Sequence, residues 1–411
     1  MKKIGLSITA AVLLAAGMSS AASASALENI VSNPKVSLEV RPRYEYVDQD
    51  GFTDEANAVT VRTALGLNAQ LFGVDGLGAQ FQVMNVTALD DDYAPENDSG
   101  NYPVVADPEQ TRVTQANISY SANGFTAIVG RKMVTLDNHR FIGNVGWRQM
   151  PQTYDLAAVI YNGIENLNLL GAYVWNVNRI FNKNGDGPGN KHMKTGSILL
   201  HASYKVMPEL TITAYDYMIE NLMDHIGLRL TGNVDFNGVK VNYTAEYAVQ
   251  KDPSLDDDDD WPYTKLNQDD PTYYNLNVTA SYNGFIGGLG YEVLGDAGTG
   301  DMAFNTPLAT LHAMNGWADK FLSTPADGLE DFSVKLGYNA GEYGKIIGIY
   351  HDFNSDRGST DYGTEVDIAY TYKINKNIGL LLKYADYNAD QYATDTTKYW
   401  VQLDYKFSAG L

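Results

Sequence analysis

The chain has 411 residues, with 50 acidic against 29 basic side chains, a formal charge of −21 and no cysteine. Without cysteine there is no disulfide framework, thiolate metal site or cysteine nucleophile, and an acid excess of this size argues against nucleic acid as a partner. Tyrosine outnumbers phenylalanine 29 to 13, a bias suited to membrane interfaces, where the ring lies among headgroups and its hydroxyl reaches water.

At the N-terminus, Lys2 and Lys3 precede an apolar run from Ile4 to Met18, and Ala24-Ser25-Ala26 offers an A-x-A cleavage site before Leu27. The pattern predicts a signal peptide over residues 1–26 and one domain over 27–411. A retained anchor is the competing reading, but the run falls short of the roughly 20 apolar residues a spanning helix needs, and no later segment reaches that length. A membrane would therefore be crossed by strands.

Alternation then recurs along the chain. Val36, Leu38, Val40, Tyr44 and Tyr46 share one face, opposed by Ser37, Glu39, Arg41, Arg43 and Glu45. Val239, Val241, Tyr243, Ala245, Tyr247 and Val249 repeat the pattern against Lys240, Asn242, Thr244, Glu246 and Gln250. Tyr274, Leu276, Val278, Ala280 and Tyr282 do so again, as do Val366, Ile368, Tyr370 and Tyr372. The last segment sets Tyr399, Val401, Leu403, Tyr405 and Phe407 against Trp400, Gln402, Asp404 and Lys406. A period of two with aromatics along the apolar side is what lipid on one face and a polar lumen on the other demand. A secreted β-sandwich has the same period with its apolar face turned inward. Pro42 has no N–H to give to a ladder, so in a closed barrel it belongs at a bulge or at frayed pairing.

Connections alternate short with long. Tight turns are expected around Asp75-Gly76, Asn123-Gly124, Asn162-Gly163, Met207-Pro208-Glu209, Asn237-Gly238, Asn283-Gly284, Asn339-Ala340-Gly341 and Asn375-Lys376-Asn377, because Asn-Gly supplies the positive φ of two-residue hairpins. Longer polar segments cover 48–56, 89–110, 134–150, 180–194, 220–225, 251–271, 295–328, 354–362 and 388–395. The rhythm predicts an all-β, transmembrane antiparallel β-barrel of about 18 strands, with short periplasmic turns and long extracellular loops. In the segment 295–328, Leu308, Leu311, His312, Asn315 and Phe321 fall near helical spacing between Pro307 and Pro325, so a short helix is expected there, in a loop that either enters the mouth or decorates the rim.

A barrel of this size leaves an aqueous channel, and function turns on what lines it. Arg41, Arg43 and Arg62 fall on polar strand phases, Arg229 alternates with Leu228 and Leu230, and Arg131, Arg140 and Arg148 lie around the segment 130–149. Charge on the lipid face at mid-membrane would cost about 2 to 4 kcal/mol, which assigns these arginines, with Glu39 and Glu45, to the lumen or to a loop folded into it. Arg131 shares the parity of Phe125 and Val129, so an inward Arg131 requires a bulge. Two readings stay open: pairing with Glu39, Glu45 and Asp155 within a crowded wall, or a guanidinium track guiding anions.

Acidic residues crowd two loops, Asp90, Asp91, Asp92, Glu96, Asp98, Asp107 and Glu109 in one, and Asp252, Asp256 to Asp260, Asp269 and Asp270 in the other. Such runs can hold divalent cations bridging to lipopolysaccharide, and a solvated, self-repelling loop is the plainer reading. The six histidines show no metal-ligand spacing, and no GxSxG or phosphate-binding loop occurs. No cofactor and no enzymatic activity is expected.

The stretches Gly130 to Gln149, Phe304 to Phe321 with Pro325 and Gly328-Leu329-Glu330-Asp331, and Asp361-Tyr362-Gly363-Thr364-Glu365 resemble proteobacterial outer-membrane porins grouped with the alginate-export family. That resemblance spans nearly the whole mature chain and implies an 18-stranded barrel passing anionic solutes or polysaccharide. The expected function is an aqueous outer-membrane channel for small hydrophilic solutes, anions foremost. Specific export or uptake of an acidic, alginate-like polysaccharide is the alternative, and oligomerisation is left open.

Overall fold

The computed structural model describes residues 30–97, 99–185, 187, 189–255, 270–296, 298 and 302–410. The expected signal peptide, the run Asp256 to Asp260, and Asp98 and Asp269 lie outside them.

Eighteen antiparallel strands form one sheet closed on itself through β1 and β18. The first half comprises β1 (Val31–Gln49), β2 (Ala56–Leu71), β3 (Leu77–Asp92), β4 (Gln110–Ala122), β5 (Phe125–Lys132), β6 (Thr153–Tyr161), β7 (Leu167–Asn178), β8 (His192–Met207) and β9 (Leu210–Ile219). The second comprises β10 (Met223–Phe236), β11 (Val239–Lys251), β12 (Thr272–Tyr282), β13 (Phe285–Leu294), β14 (Leu329–Asn339), β15 (Lys345–Asn354), β16 (Asp361–Lys373), β17 (Ile378–Ala389) and β18 (Thr396–Gly410). Every neighbour in space is a neighbour in sequence except at the β1–β18 seam, so the expected strand count, loop rhythm and closing strand all stand. Closure excludes the sandwich.

The alternation sorts the side chains by solvent. Phe81, Ile118, Phe125, Val129, Leu276, Leu289, Leu336, Val401 and Phe407 stand exposed on the outer face, where lipid would solvate them. Inward positions are buried or half-buried and largely polar: Arg43, Glu45, Thr60, Arg62, Glu246, Gln250, Glu365, Asp367, Lys398 and Gln402.

Local chemistry explains the connections. Asn123, Asn237 and Asn283 have φ of 51°, 52° and 48°, each followed by a glycine above 80°, the left-handed pair that lets a two-residue turn match strand twist. Asn162-Gly163 departs from this pattern: the connection runs through five residues, and the left-handed position is Asn166, at 64°. Pro42 sits where expected. The ladder to β18 is interrupted at Arg41 and Pro42, while the ladder to β2 continues, with Pro42 opposite Val61. The missing N–H thus falls at a gap.

Not all of the long connections stay at the rim: Asp107, between β3 and β4, is buried against Arg43 and Arg148. Residues 133–152 and 302–328 fold into the barrel and build its largest apolar cluster, with Phe141, Ile142, Phe304, Leu308, Ala318 and Phe321 packed against wall residues such as Tyr215, Tyr217, Tyr273, Phe353, Tyr387 and Trp400. Of the short helix expected in 295–328, only a 3₁₀ turn, Leu311–Ala313, forms among the described residues. The apolar residues are held by lumen contacts in an irregular backbone, so their near-helical spacing reflects those contacts.

Candidate functional site in the lumen

The two inward loops are tied to each other before they are tied to the wall. Gly143 N–H donates to the Leu308 carbonyl at 2.8 Å and Thr310 N–H to that of His139 at 3.0 Å. Val145 N–H reaches Thr310 Oγ1 at 3.0 Å, and Gln152 Nε2 donates to the carbonyls of Gly143 and Leu308. Phe141 rests edge-on against Tyr273 and Phe304, at 5.4 and 6.0 Å between ring centres. His201, on the inward phase of β8, approaches Asp137 at 3.2 Å and ties loop 133–152 to that strand.

On the wall formed by β17, β18, β1 and β2, cations dominate the inward phase. Arg43 is fully buried, donates to Gln402 Oε1 at 2.9 and 2.6 Å and to Asp107 Oδ2 at 3.2 Å, and lies 4.1 Å over the Trp147 ring. Arg41 pairs with Asp404 at 2.7 Å and donates to the Gly146 carbonyl at 3.1 Å. Arg62 pairs with Glu39 at 3.1 Å. Arg148, on the loop, spans Glu45 at 3.0 Å and Asp319 at 2.9 Å, and Asp319 also takes Lys398 at 2.9 Å and His312 Nδ1 at 2.7 Å. Gln149 caps the set, its N–H on Asp107 Oδ1 at 2.6 Å and its amide on Thr60 Oγ1 at 2.9 Å.

Burial opposes ionisation of Asp319, but the His312 contact, Lys398 and Arg148 prevail and hold its carboxyl well below the usual carboxylate range. Burial likewise opposes charge on Arg148, and Glu45, Asp319 and Asp107 outweigh it, so this guanidinium stays charged. Burial pushes the His312 imidazole well below its ordinary value against the pull of Asp319, leaving it neutral, with Nδ1 donating to Asp319 and Nε2 facing Lys383 Nζ at 2.7 Å.

The wall from β13 to β16 is acidic. Glu292 accepts from Tyr273 at 2.7 Å and from Asn315 at 2.6 Å, and lies 3.0 Å from Arg140. Asp331 accepts from His351 at 2.8 Å and from Asn315 at 3.1 Å. Glu365 receives Ala318 N–H at 2.7 Å and Asp367 receives Trp317 N–H at 3.2 Å. Between loop and wall lies a cavity of about 290 Å³, lined among others by Arg229, Asn275, Asn277, Trp317, Ser333 and Lys335. Arg229 is neutralised there by Glu246.

Of the residues singled out in the sequence, Arg41, Arg43, Arg62 and Arg148 come together with Glu39 and Glu45 around β1, whereas Arg140 and Arg229 lie on the acidic side. Arg131 joins neither group. Its ladders to β4 and β6 run unbroken, so it keeps the outward phase of Phe125 and Val129, and the bulge that an inward Arg131 requires is missing. Gly130, at φ +121°, precedes it, and the guanidinium turns along the wall to Asp155 at 2.6 Å. Each of the seven arginines has a carboxylate partner, as the wall-pairing reading requires. Residues the sequence reading did not assign to the site are Asp107, Trp147, His312, Asp319, Lys383, Lys398 and Trp400. One signal was present: Trp400 lies on the polar face of its strand, where an aromatic needs a partner inside the barrel. At the rim, Asp90, Asp91 and Asp92 bring carboxylate oxygens within 4.8 Å of one another, an arrangement that exposed acidic residues commonly adopt.

No family model matches the chain, and no curated protein matches it by sequence. Solved structures do. Pseudomonas aeruginosa OpdK, solved with vanillate, superposes with a TM-score of 0.73 at 14% identity over 92% of this chain and 100% of its own. Acinetobacter baumannii OccAB2 gives 0.70 at 18% identity over 92% and 99%, and Pseudomonas aeruginosa OccK8 (OprE) gives 0.69 at 14% over 93% and 100%. At such identities the likeness shows the fold, a closed 18-stranded barrel of the outer-membrane porin type. None of the three is an alginate exporter by its description, so the resemblance holds at the level of porins.

Proposed function

We propose that the chain is a bacterial outer-membrane channel for small hydrophilic solutes, anions foremost, with its short turns in the periplasm and its long loops outside. The observation that carries this reading is the lumen: a closed barrel with an apolar outer belt, a polar inner phase and two loops that narrow the passage without filling the cavity beside β10–β15. A barrel of 18 strands is too wide for wall side chains alone to fill. Narrowing by loops favours small solutes over a polymer, which would need both loops to move.

Support for anions comes from the wall of β17, β18, β1 and β2, where Arg41, Arg43, Arg62, Arg148, Lys383 and Lys398 face Glu39, Glu45, Asp107, Asp319 and Asp404. Six cations against five carboxylates leave a small positive excess in a low-dielectric setting that focuses field. OpdK was solved with vanillate, a carboxylate, which agrees with this direction. Lipopolysaccharide is the proposed neighbour of the rim, with divalent cations bridging it to Asp90, Asp91 and Asp92. No catalytic role is proposed. Swelling of liposomes that carry the protein tests the reading: small sugars and carboxylates are expected to enter, and liposomes no more permeable than protein-free ones would refute it. The alginate-type alternative predicts block of conductance by soluble polyuronate.

A further inference from the structure

Lys383 stands on the inward phase of β17 with Ala385 and Tyr387, opposite Trp400 in the register with β18. Its ammonium lies 3.6 Å from the centre of the Trp317 ring, 4.1 Å from that of Trp147 and 5.1 Å from that of Trp400. Its fourth neighbour is His312 Nε2 at 2.7 Å. The chain has five tryptophans, and three of them surround this one amine. Trp147 also stacks on His312, with centroids 4.4 Å apart and planes 4° from parallel.

The origin of these rings matters more than their number. Trp147 belongs to loop 133–152, Trp317 and His312 to loop 295–328, and Trp400 to the wall. Among the described residues no carboxylate forms an ion pair with Lys383, although its side chain is nearly fully buried. A buried ammonium has to be compensated; aromatic faces and a neutral imidazole touch it here, and the Asp367 and Asp319 carboxylates act on it through space. Each loop therefore contributes a wall of the cage, and neither completes it alone.

We infer that Lys383 is a positioning residue for the passage: one wall-borne cation latches both lumen loops in place and thereby sets the width of the channel. Arg148 and Arg140 already join loop 133–152 to loop 295–328, through Asp319 and Asn315, and Lys383 adds the point at which both loops meet the wall. The inference rests on the channel reading above for its readout, and the experiment separates the two.

The test is conductance in planar bilayers. Lys383→Met keeps an unbranched side chain one atom shorter and removes its charge, and the assembled variant is expected to conduct about twofold or more above the unaltered protein and to admit larger neutral polymers. Lys383→Arg keeps a cation for the rings and is expected to stay near the unaltered value. Should Lys383→Met fail to assemble, judged by heat-modifiable migration, Trp317→Leu takes its place, because Trp317 lies on the loop and forms no part of the wall. Unchanged conductance in the assembled variant overturns the latch, as does a Lys383→Arg channel as open as Lys383→Met. A conducting unaltered protein with an unchanged variant sinks the latch alone, whereas silence in both sinks the channel reading with it.

Discussion

The two walls of the lumen hold their loops with opposite chemistry. Around β1, guanidinium groups meet loop carbonyls, Arg41 at Gly146 and Arg43 at Trp147. From β13 to β16, carboxylates meet loop N–H groups, Glu365 at Ala318 and Asp367 at Trp317. Most wall charge on both sides is therefore engaged in seating a loop. A backbone carbonyl or N–H buried against the wall needs a partner, and a charged side chain is the strongest one available. The number of lumen charges offered to a solute is smaller than the number encoded, and the field that remains depends on the loops staying in place.

The largest effect should come from removing what joins the walls. Truncation from Tyr399 onward deletes the strand that pairs with both β1 and β17, leaving two edges unpaired inside a bilayer. No heat-modifiable band is expected, and a folded, detergent-resistant truncated protein would break the closure account. Next comes the junction of the two loops at the basic wall. Arg148→Ala leaves Glu45 with Arg43 alone at 3.9 Å and Asp319 with Lys398 and His312, and losing hydrogen bonds to buried charged groups costs about 1.5 to 3 kcal/mol. Protease sensitivity of residues 133–152 should rise while the barrel stays assembled. Arg41→Ala, at a pair where Asp404 is 27% exposed, should weaken loop seating by about 1 kcal/mol or less.

Acid should open the same junction. The Asp319 carboxyl is held well below the carboxylate range when the loops are seated, so its contribution is fully present above about pH 4 and is lost as pH falls below that value. Conductance is expected to be flat from neutral pH to about 4 and to rise below it, and Asp319→Asn should flatten the acid limb. An acid limb unchanged in that variant would assign the response to other groups.

The outer face and the turns were legible in the sequence, because each needs only local information. Period-two alternation fixes the side of the sheet, Asn-Gly fixes φ at Asn123, Asn237 and Asn283 but not at Asn162, and Pro42 marks the interrupted ladder. The lumen was legible in part. Arg43 and Glu45 fall on the inward phase by parity, yet their partners Asp107, Gln402 and Arg148 lie 64, 359 and 103 residues away. Nothing periodic announces contacts of that range. Arg131 shows the limit of parity arguments, since charge alone suggested the lumen and an unbroken register kept it outside. Loop 295–328 carried apolar spacing that resembled a helix, but its order comes from the walls it touches.

The smallest effect belongs to the rim. Changing Asp90, Asp91 and Asp92 to asparagine alters rim charges whose hydrogen bonds, from Tyr102 to Asp92 at 3.4 Å and from Asp92 N–H to Asp90 at 3.3 Å, an amide oxygen still accepts, so assembly should be unchanged and stability should move by no more than about 0.5 kcal/mol. A marked loss of folding in low-divalent medium would give these residues the cation-binding role.

The reversal potential across a salt gradient at low ionic strength, read on the unaltered channel and on the triple variant Arg41→Gln, Arg43→Gln, Arg62→Gln, tests the central claim most directly. The account predicts an anion-favouring potential that shifts toward cations in the variant, with the difference shrinking as salt screens it. An assembled, conducting variant whose reversal potential matches that of the unaltered channel at low salt would contradict it.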